Sequence, residues 1–497
     1  MATDPDSLTR WRPLDTLSVG GWTILVIAAI SSVLLLVWPR QHREGLAMWV
    51  FTVEHAKLYE PLLEERREQA DGPGHVDVNL TVIDGAAMTR RILAGFWGDT
   101  PLADLMEVET DMMSRFTGGP LESMGFVDLT DRLQEEGLIG KINPPSFSPW
   151  TSRGRVFGLP HDVHPTLLAY RADIVEEAGI DVGEIETWDD FERVMQPLLD
   201  DNDDDGEPDH YPLAIWYSDS YTIEPLLLQA GGGLFHADGR PSLDRPENAR
   251  VVAEVVSWCV GPDRIAVDAP KFTFSGDQLK IRGKVVCEVM PDWLAGVWKR
   301  TLPQLHGKVK LMPLPAWEPG GRRTTVMGGT MLGFPKRTLD SAGDGTGEPT
   351  FEAAWSFAKE LYLDRAYSER LFRKTNIITP VTDYWSEDWF HEPDPYFSGQ
   401  QSGTLFLEHA PNVPLRTPSP FVVAARLRLS EVLGRVYRLA EERAVYDAAE
   451  LEPFAAELLR GVQARMEEEM SRNVFLSGDD ADAASAPAPA PAPQEAP

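Results

Sequence analysis

Apolar residues in this chain fall into short strand-like runs separated by longer stretches with helical spacing. Residues 46–51, 76–82 and 104–108 read as strands, with helices predicted over 54–69 and 86–97 between them. A second set of runs follows at 166–170, 211–216, 285–290 and 309–314. Strands alternating with helices predict a mostly parallel sheet covered on both faces, here twice over. Ligands of such sheets sit beyond the carboxyl ends of the strands, which places Phe51, Thr52, Glu109 and Thr110 near a cleft.

The most ordered pattern lies in residues 153–191. A short apolar run ends at Pro160, a second one leads to a helix starting near Ala172, and Thr187 with Asp190 three residues on forms a capping pair for a further helix. Residues 161–165 lie between the two runs, polar and closed by Pro165, so they can carry the backbone from one lobe to another. Asp162 is therefore expected to line the cleft. A second crossing is expected over 324–334, where Gly328 and Gly329 permit backbone angles that other residues resist.

Aromatic residues recur at the predicted strand ends. Trp49 and Phe51 close the first strand, Trp216 and Tyr217 a later one, and Asp292 and Trp293 follow the run through Met290. Sugars present apolar C–H faces ringed by hydroxyls, so flat aromatic platforms beside carboxylates suit them. Trp385, before the last helices, is expected to add a wall. Core packing explains any single tryptophan equally well; Trp188 and Trp258, on helices, are assigned to it.

Composition narrows the function classes. The 497 residues suffice for two or three compact units, and 43% hydrophobic content can fill their cores. A formal charge of -32 with no basic face excludes a nucleic-acid partner. Cys259 and Cys287 are read as buried free thiols, since two cysteines cannot build a disulfide scaffold. No nucleophile elbow, phosphate loop or zinc helix is present, and no cofactor is implied. His161 and His164 lie in a non-helical crossing without cysteines, a poor metal pair. Asp201, Asp203, Asp205 and Gly206 repeat the opening of a calcium loop, but Pro212 stands where a bidentate glutamate is needed, so a solvated acidic turn is the plainer reading.

The two ends differ from the rest. From Val19 to Trp38 the chain is uncharged and mostly apolar, roughly the 20 residues that cross a bilayer, with Trp22 and Trp38 near the interfaces. Trp38-Pro39-Arg40 follows rather than the small residues of a cleavage site, and no cysteine is nearby for a lipid, so an uncleaved transmembrane anchor over 19–38 is expected. Arginines flank both sides, so charge does not orient it. Residues 478–497 are alanine–proline repeats that cannot form a core and read as a disordered tail.

The order G-x-V-F-G-L-P-H-D-V, L-A-Y-R-A-D, E-E-A-G-I-D and E-T-W-D-D-F resembles the extracytoplasmic solute-binding proteins of ABC importers, in the sugar-binding branch that includes maltose-binding protein. FSGDQLKIRGKVVCEVMPDW and PNVPLRTPSP, the approach to the last helices, extend the likeness to roughly residues 46–474. One departure is the G-x-x-P-D of relatives, which here carries extra residues between Gly98 and Asp104. The resemblance implies an α/β, two-lobed periplasmic-binding-protein-like fold with hinge crossings, which the one transmembrane helix read from residues 19–38 would precede. Lobe 1 would take 45–160 and 327–400, and lobe 2 would take 163–325 and 405–474, after an N-terminal segment over 1–18. The implied function is to capture a carbohydrate between the lobes, outside the cytoplasm at the cell membrane, and deliver it to an ABC permease. The ligand would be held by Trp49, Phe51, Thr52, Glu109, Asp162, Trp216, Tyr217, Asp292, Trp293, Gly328 and Trp385. A solute-sensing receptor and an anchored carbohydrate-active hydrolase using the same cleft are the alternatives.

Overall fold

The computed structural model describes residues 18–37, 45–68, 76–98, 100–201, 206–217, 219–336 and 351–475. The chain divides into two compact units, Met1–Glu44 and Gly45–Pro497. The first contributes the helix Val19–Val37, opened by a hydrogen bond from the Gly21 amide to the Ser18 hydroxyl at 3.3 Å. Val19, Ile24, Ile27, Ile30 and Val33 stand exposed along it. Among the described residues, no helix is long and apolar enough to cross a membrane. The predicted tail at 478–497 and the calcium-loop candidates Asp203 and Asp205 lie outside the described residues.

The second unit has two lobes, each built on its own sheet. Strands β1 (Leu46–Val50), β2 (Val78–Val82) and β3 (Leu105–Glu109) alternate with helices Val53–Glu68 and Gly85–Trp97, within a residue or two of their predicted limits. A small hairpin of β4 (Thr151–Ser152) and β5 (Arg155–Val156) precedes β6 (Leu159–Pro160). Then come β7 (Pro165–Arg171), β8 (Tyr211–Ala214), β9 (Ala266–Val267), β10 (Val285–Pro291), β11 (Val309–Met312), β12 (Thr325–Val326) and β13 (Thr330–Gly333). The first sheet runs β2-β1-β3-β13-β6, and the second runs β11-β7-β10-β8-β9 with β12 on β7.

The expectation of two mostly parallel sheets holds for neither sheet throughout. Strands β1, β2 and β3 are parallel, but β13 is antiparallel to both β3 and β6. In the second sheet β8 is parallel to β9 and β10, whereas β7 is antiparallel to β10, β11 and β12. The reason is the route of the chain: β7 enters this lobe directly from the crossing, so it starts at the end where β10 finishes. Thr166 consequently lies opposite Pro291. That register brings Asp292 to the crossing.

Strand β7 is buried throughout, and its alternating side chains feed two different cores. Leu168 and Tyr170 face a cluster with Val252, Leu433 and Leu459, from helices Pro246–Cys259, Val422–Arg443 and Ala448–Ser471. Leu167 and Ala169 face the other way, onto Trp389, Phe390, Phe397 and Phe406. The first lobe packs Leu46, Met48 and Leu105 against Leu58, Leu63 and Trp355. Trp188 and Trp258 are both buried, with ring centroids 4.9 Å apart, as their helical positions predicted. Cys259 and Cys287 are buried free thiols. Thr187 and Asp190 form the complete capping box expected of them.

Candidate functional site

The two crossings meet at a buried chain of charge. His164 adopts a left-handed backbone, φ +60°, which turns its ring back between two carboxylates. Its Nδ1 lies 2.6 Å from Asp292 Oδ1 and its Nε2 lies 3.1 Å from Asp162 Oδ2. Burial alone would strip the proton from this imidazole, but Asp162 and Asp292 outweigh it and push the pKa up to about 10. Burial likewise opposes the charge on Asp162, yet His164 beside it holds that carboxyl well below the usual carboxylate range. His161, whose Nδ1 meets Asp162 at 3.1 Å, has its pKa lowered chiefly by burial.

The same carboxylates tie three chain segments together. Asp162 accepts the Thr330 amide at 3.1 Å, and Asp292 accepts the Ile378 amide at 2.7 Å. The Trp293 indole donates to the Met327 carbonyl at 2.9 Å. Gly328, φ +98°, sits so close that a Cβ there would come 2.9 Å from that indole nitrogen and 3.1 Å from the His164 ring. Asp162, Asp292, Trp293 and Gly328 are thus brought to one place.

Behind them, in the first lobe, Glu107 is fully buried and accepts hydrogen bonds from the Tyr59 and Tyr362 hydroxyls and, at 2.9 Å, His55 Nδ1. Burial works against both charges of this pair. Their mutual attraction prevails, raising His55 and lowering Glu107. The His55 and His161 rings lie 5.1 Å apart, so the buried polar chain continues from Glu107 to the crossing.

Between the lobes lies a narrow gap lined by Thr110, Tyr221, Glu224, Gly328, Arg416 and Arg426 among others. Arg426, on the helix Val422–Arg443, bridges Glu224 of the second lobe and Asp111 of the first and lies over the Tyr221 ring. Arg416 donates to the Gly328 carbonyl, while its backbone amide reaches the Ser148 hydroxyl of the first lobe at 3.2 Å. None of Tyr221, Glu224, Arg416 and Arg426 is legible as a cleft residue from sequence. Arg416 sits in PNVPLRTPSP, whose prolines mark a crossing but not the direction of its side chain.

Glu109, at the end of β3 and in register with Thr330, stands beside Asp111. Burial first, and Asp111 second, push its pKa up to about 7. A carboxyl that holds its proton better when folded than the ordinary 4.5 contributes stability that is fully present below pH 4.5 and lost as pH rises through about 7. Glu109→Gln keeps the shape without the charge. Its melting temperature should exceed that of the wild type at pH 8 and match it at pH 4.5 in a thermal scan series; equal values at pH 8 would sink the assignment.

The other predicted contacts are scattered. Thr52 accepts the Glu54 amide at 3.3 Å at the start of a helix, and Phe51 meets the His55 ring edge-on at 5.2 Å. Trp49 packs against the cluster of Ile92, Met106 and Met331 within the first lobe. Trp216 is partly buried, and Tyr217 stacks on Tyr437 at 4.3 Å, within the second lobe. The Trp385 indole donates to the Thr379 carbonyl at 2.9 Å beside the Trp389 cluster. For the acidic turn, Asp201 accepts the Gly206 amide at 2.8 Å. Among the described residues, no group of three His, Cys, Asp or Glu could hold a metal ion.

Residues 54–367 match the bacterial extracellular solute-binding proteins. The chain belongs to this family. It is therefore a binding protein rather than an enzyme, and its large unit belongs outside the cytoplasm. Relatives of this solute-binding protein include the arabinooligosaccharide-binding proteins of Halalkalibacterium halodurans and Bacillus subtilis. The first is 24% identical over 71% of this chain and 75% of its own length. The second is 24% identical over 72% of this chain and 78% of its own. Among solved structures, an ABC transporter-associated binding protein of B. animalis subsp. lactis in complex with beta-1,6-galactobiose superposes with TM-score 0.63 at 16% identity, over 86% of this chain and 98% of that one. The sugar-binding protein MalE of Xanthomonas citri does so with TM-score 0.63 at 16% identity, over 85% of this chain and 99% of that one. Those likenesses establish the two-lobed fold.

Proposed function

We infer that this solute-binding protein captures a carbohydrate between its lobes and hands it to an ABC permease. The observation that carries the reading is the interlobe space bounded by Thr110 of one lobe and Tyr221, Glu224 and Arg426 of the other, beside crossings pinned by His164. Fork-shaped arginines and carboxylates beside aromatic rings offer paired donors and acceptors to hydroxyls and a face to C–H groups. Of the contacts expected from sequence, Gly328 lines this space and Trp293 abuts Gly328; with Glu109, Asp162 and Asp292 they are proposed as ligand or hinge residues. The named ligands of the relatives, arabinooligosaccharide and beta-1,6-galactobiose, favour a neutral oligosaccharide. The proposed lobes are 45–160 with 327–400 and 163–325 with 405–474; Trp389, Phe390 and Phe397, inside the stretch given to the first lobe, pack with Leu167 and Ala169 of the second sheet.

Closure is differential binding: contacts made to both lobes at once exist only in the closed form, so a ligand shifts the population toward it. The Arg426 bridge to Asp111 is one such contact already present. Calorimetric titration with arabino- and galacto-oligosaccharides should give dissociation constants on the order of micromolar and a change in tryptophan emission. Absence of both binding and thermal stabilisation across the panel would overturn the proposal.

The anchor belongs to the same proposal. The described helix Val19–Val37 by itself falls short of a span, so the proposal rests on the uncharged stretch 19–38 of the sequence together with Val19, Ile24, Ile27, Ile30 and Val33, which stand exposed along the helix. Full-length protein should sediment with membranes and resist alkaline carbonate, whereas a chain starting at Gly45 should stay in the supernatant.

A further inference from the structure

Phe272 is two-thirds exposed, at 66%, and holds a left-handed backbone, φ +58°, which a bulky residue adopts only under strain. Its neighbours explain how it is kept there. Lys271 turns inward to the buried Glu288 at 3.1 Å and to the Val289 carbonyl at 3.3 Å. Thr273 caps the next helix, accepting the Gly276 amide at 3.1 Å. With both flanking residues committed, the left-handed turn throws the Phe272 ring outward, where it stacks on Trp293 at 5.9 Å and 20°. Phe274, two residues on, is 80% exposed. Burial of a phenylalanine ring is worth about 1.5–3 kcal/mol, so an exposed, strained aromatic is disfavoured by folding itself.

Trp293 links this ring to the cleft, since its indole is bound to Met327 and abuts Gly328, both of which line the interlobe space. We propose that Phe272 is a specificity-determining platform that stacks a further sugar unit outside the enclosed cleft, so that the ligand is an oligosaccharide held by one end and protruding past Trp293. The inference rests on the carbohydrate reading above and adds the length of the ligand and the residue that reads it.

The test titrates the full chain with arabino- and galacto-oligosaccharide series from monosaccharide to hexasaccharide. Affinity of the wild type should rise about tenfold once the chain is long enough to reach Phe272, the scale expected of one aromatic stack. Phe272→Gly suits the left-handed backbone, relieves its strain and removes the ring; it should abolish that increment while leaving affinity for short sugars unchanged and the protein folded. Phe272→Tyr should keep it. Equal affinity of F272G and wild type for every length, or no gain with length in the wild type, overturns the platform while leaving carbohydrate capture standing. Failure of every sugar to bind overturns both.

Discussion

Asp292→Ala is expected to lower stability by about 3–5 kcal/mol, the range for removing one partner of a buried ion pair. Three donors lose their acceptor at once: His164 Nδ1, the Ile378 amide and the Trp293 amide. All lie in the hinge, where water has little access, and Asp292 is fully buried. The imidazolium keeps Asp162, so part of its charge remains paired. The released amide of Ile378 adds a further penalty, because an unsatisfied buried donor loses its hydration without replacement. Urea unfolding of D292A and D292N measures the effect. The asparagine keeps the shape and two acceptor sites, so it should fall between wild type and alanine. A D292A midpoint equal to that of the wild type would refute the pinned hinge.

Arg426→Ala should act twice, and the two effects separate by state. The Arg426–Glu224 contact lies within the second lobe and persists whether the cleft is open or closed. Losing it strands a buried carboxylate and should destabilise the protein by about 1.5–3 kcal/mol, as for a charged hydrogen bond. The Arg426–Asp111 contact crosses between lobes, so opening of the cleft would break it. Asp111 is half exposed, with 49% of its side chain accessible, so the crossing pair is screened and worth about 1 kcal/mol, which converts to roughly fivefold in sugar affinity. Asp111→Ala should therefore weaken binding roughly fivefold with little change in unfolding, whereas R426A loses both affinity and stability. Added salt should weaken the wild type and leave D111A unmoved. If D111A binds sugar as the wild type does, the interlobe bridge contributes nothing to closure.

Local features of this protein were legible in the sequence because their causes are local. The five-residue strands at 46–50 and 78–82 follow from runs of apolar side chains. Thr187 and Asp190 satisfy each other three residues apart, so the capping box needs no tertiary partner. The proline-bounded crossing at 161–165 follows from restricted backbone angles. Even the chain order of strands, crossings and terminal helices sufficed to suggest the family.

What the chain order left open were contacts across long separations. His164 and Asp292 are 128 residues apart, and Asp111 and Arg426 are 315 apart. Trp216 and Tyr217 follow a strand as Trp293 does, yet Tyr217 stacks on a second-lobe helix while Trp293 reaches the crossing. Strand-end position alone carries no information about which way a side chain turns, because that depends on the register of neighbouring strands. The antiparallel entry of β7 shows the same physics: its direction came from where the crossing delivered the chain, not from its own apolar pattern. The sequence by itself determined the elements and their caps, since propensity and periodicity act over a few residues, and the order of its motifs implied two lobes through resemblance to the solute-binding family. Only the tertiary structure decided the His164 hub, the Arg426 bridge and the outward ring of Phe272, because each depends on strand register and on backbone turns that bring distant residues within hydrogen-bond or stacking distance.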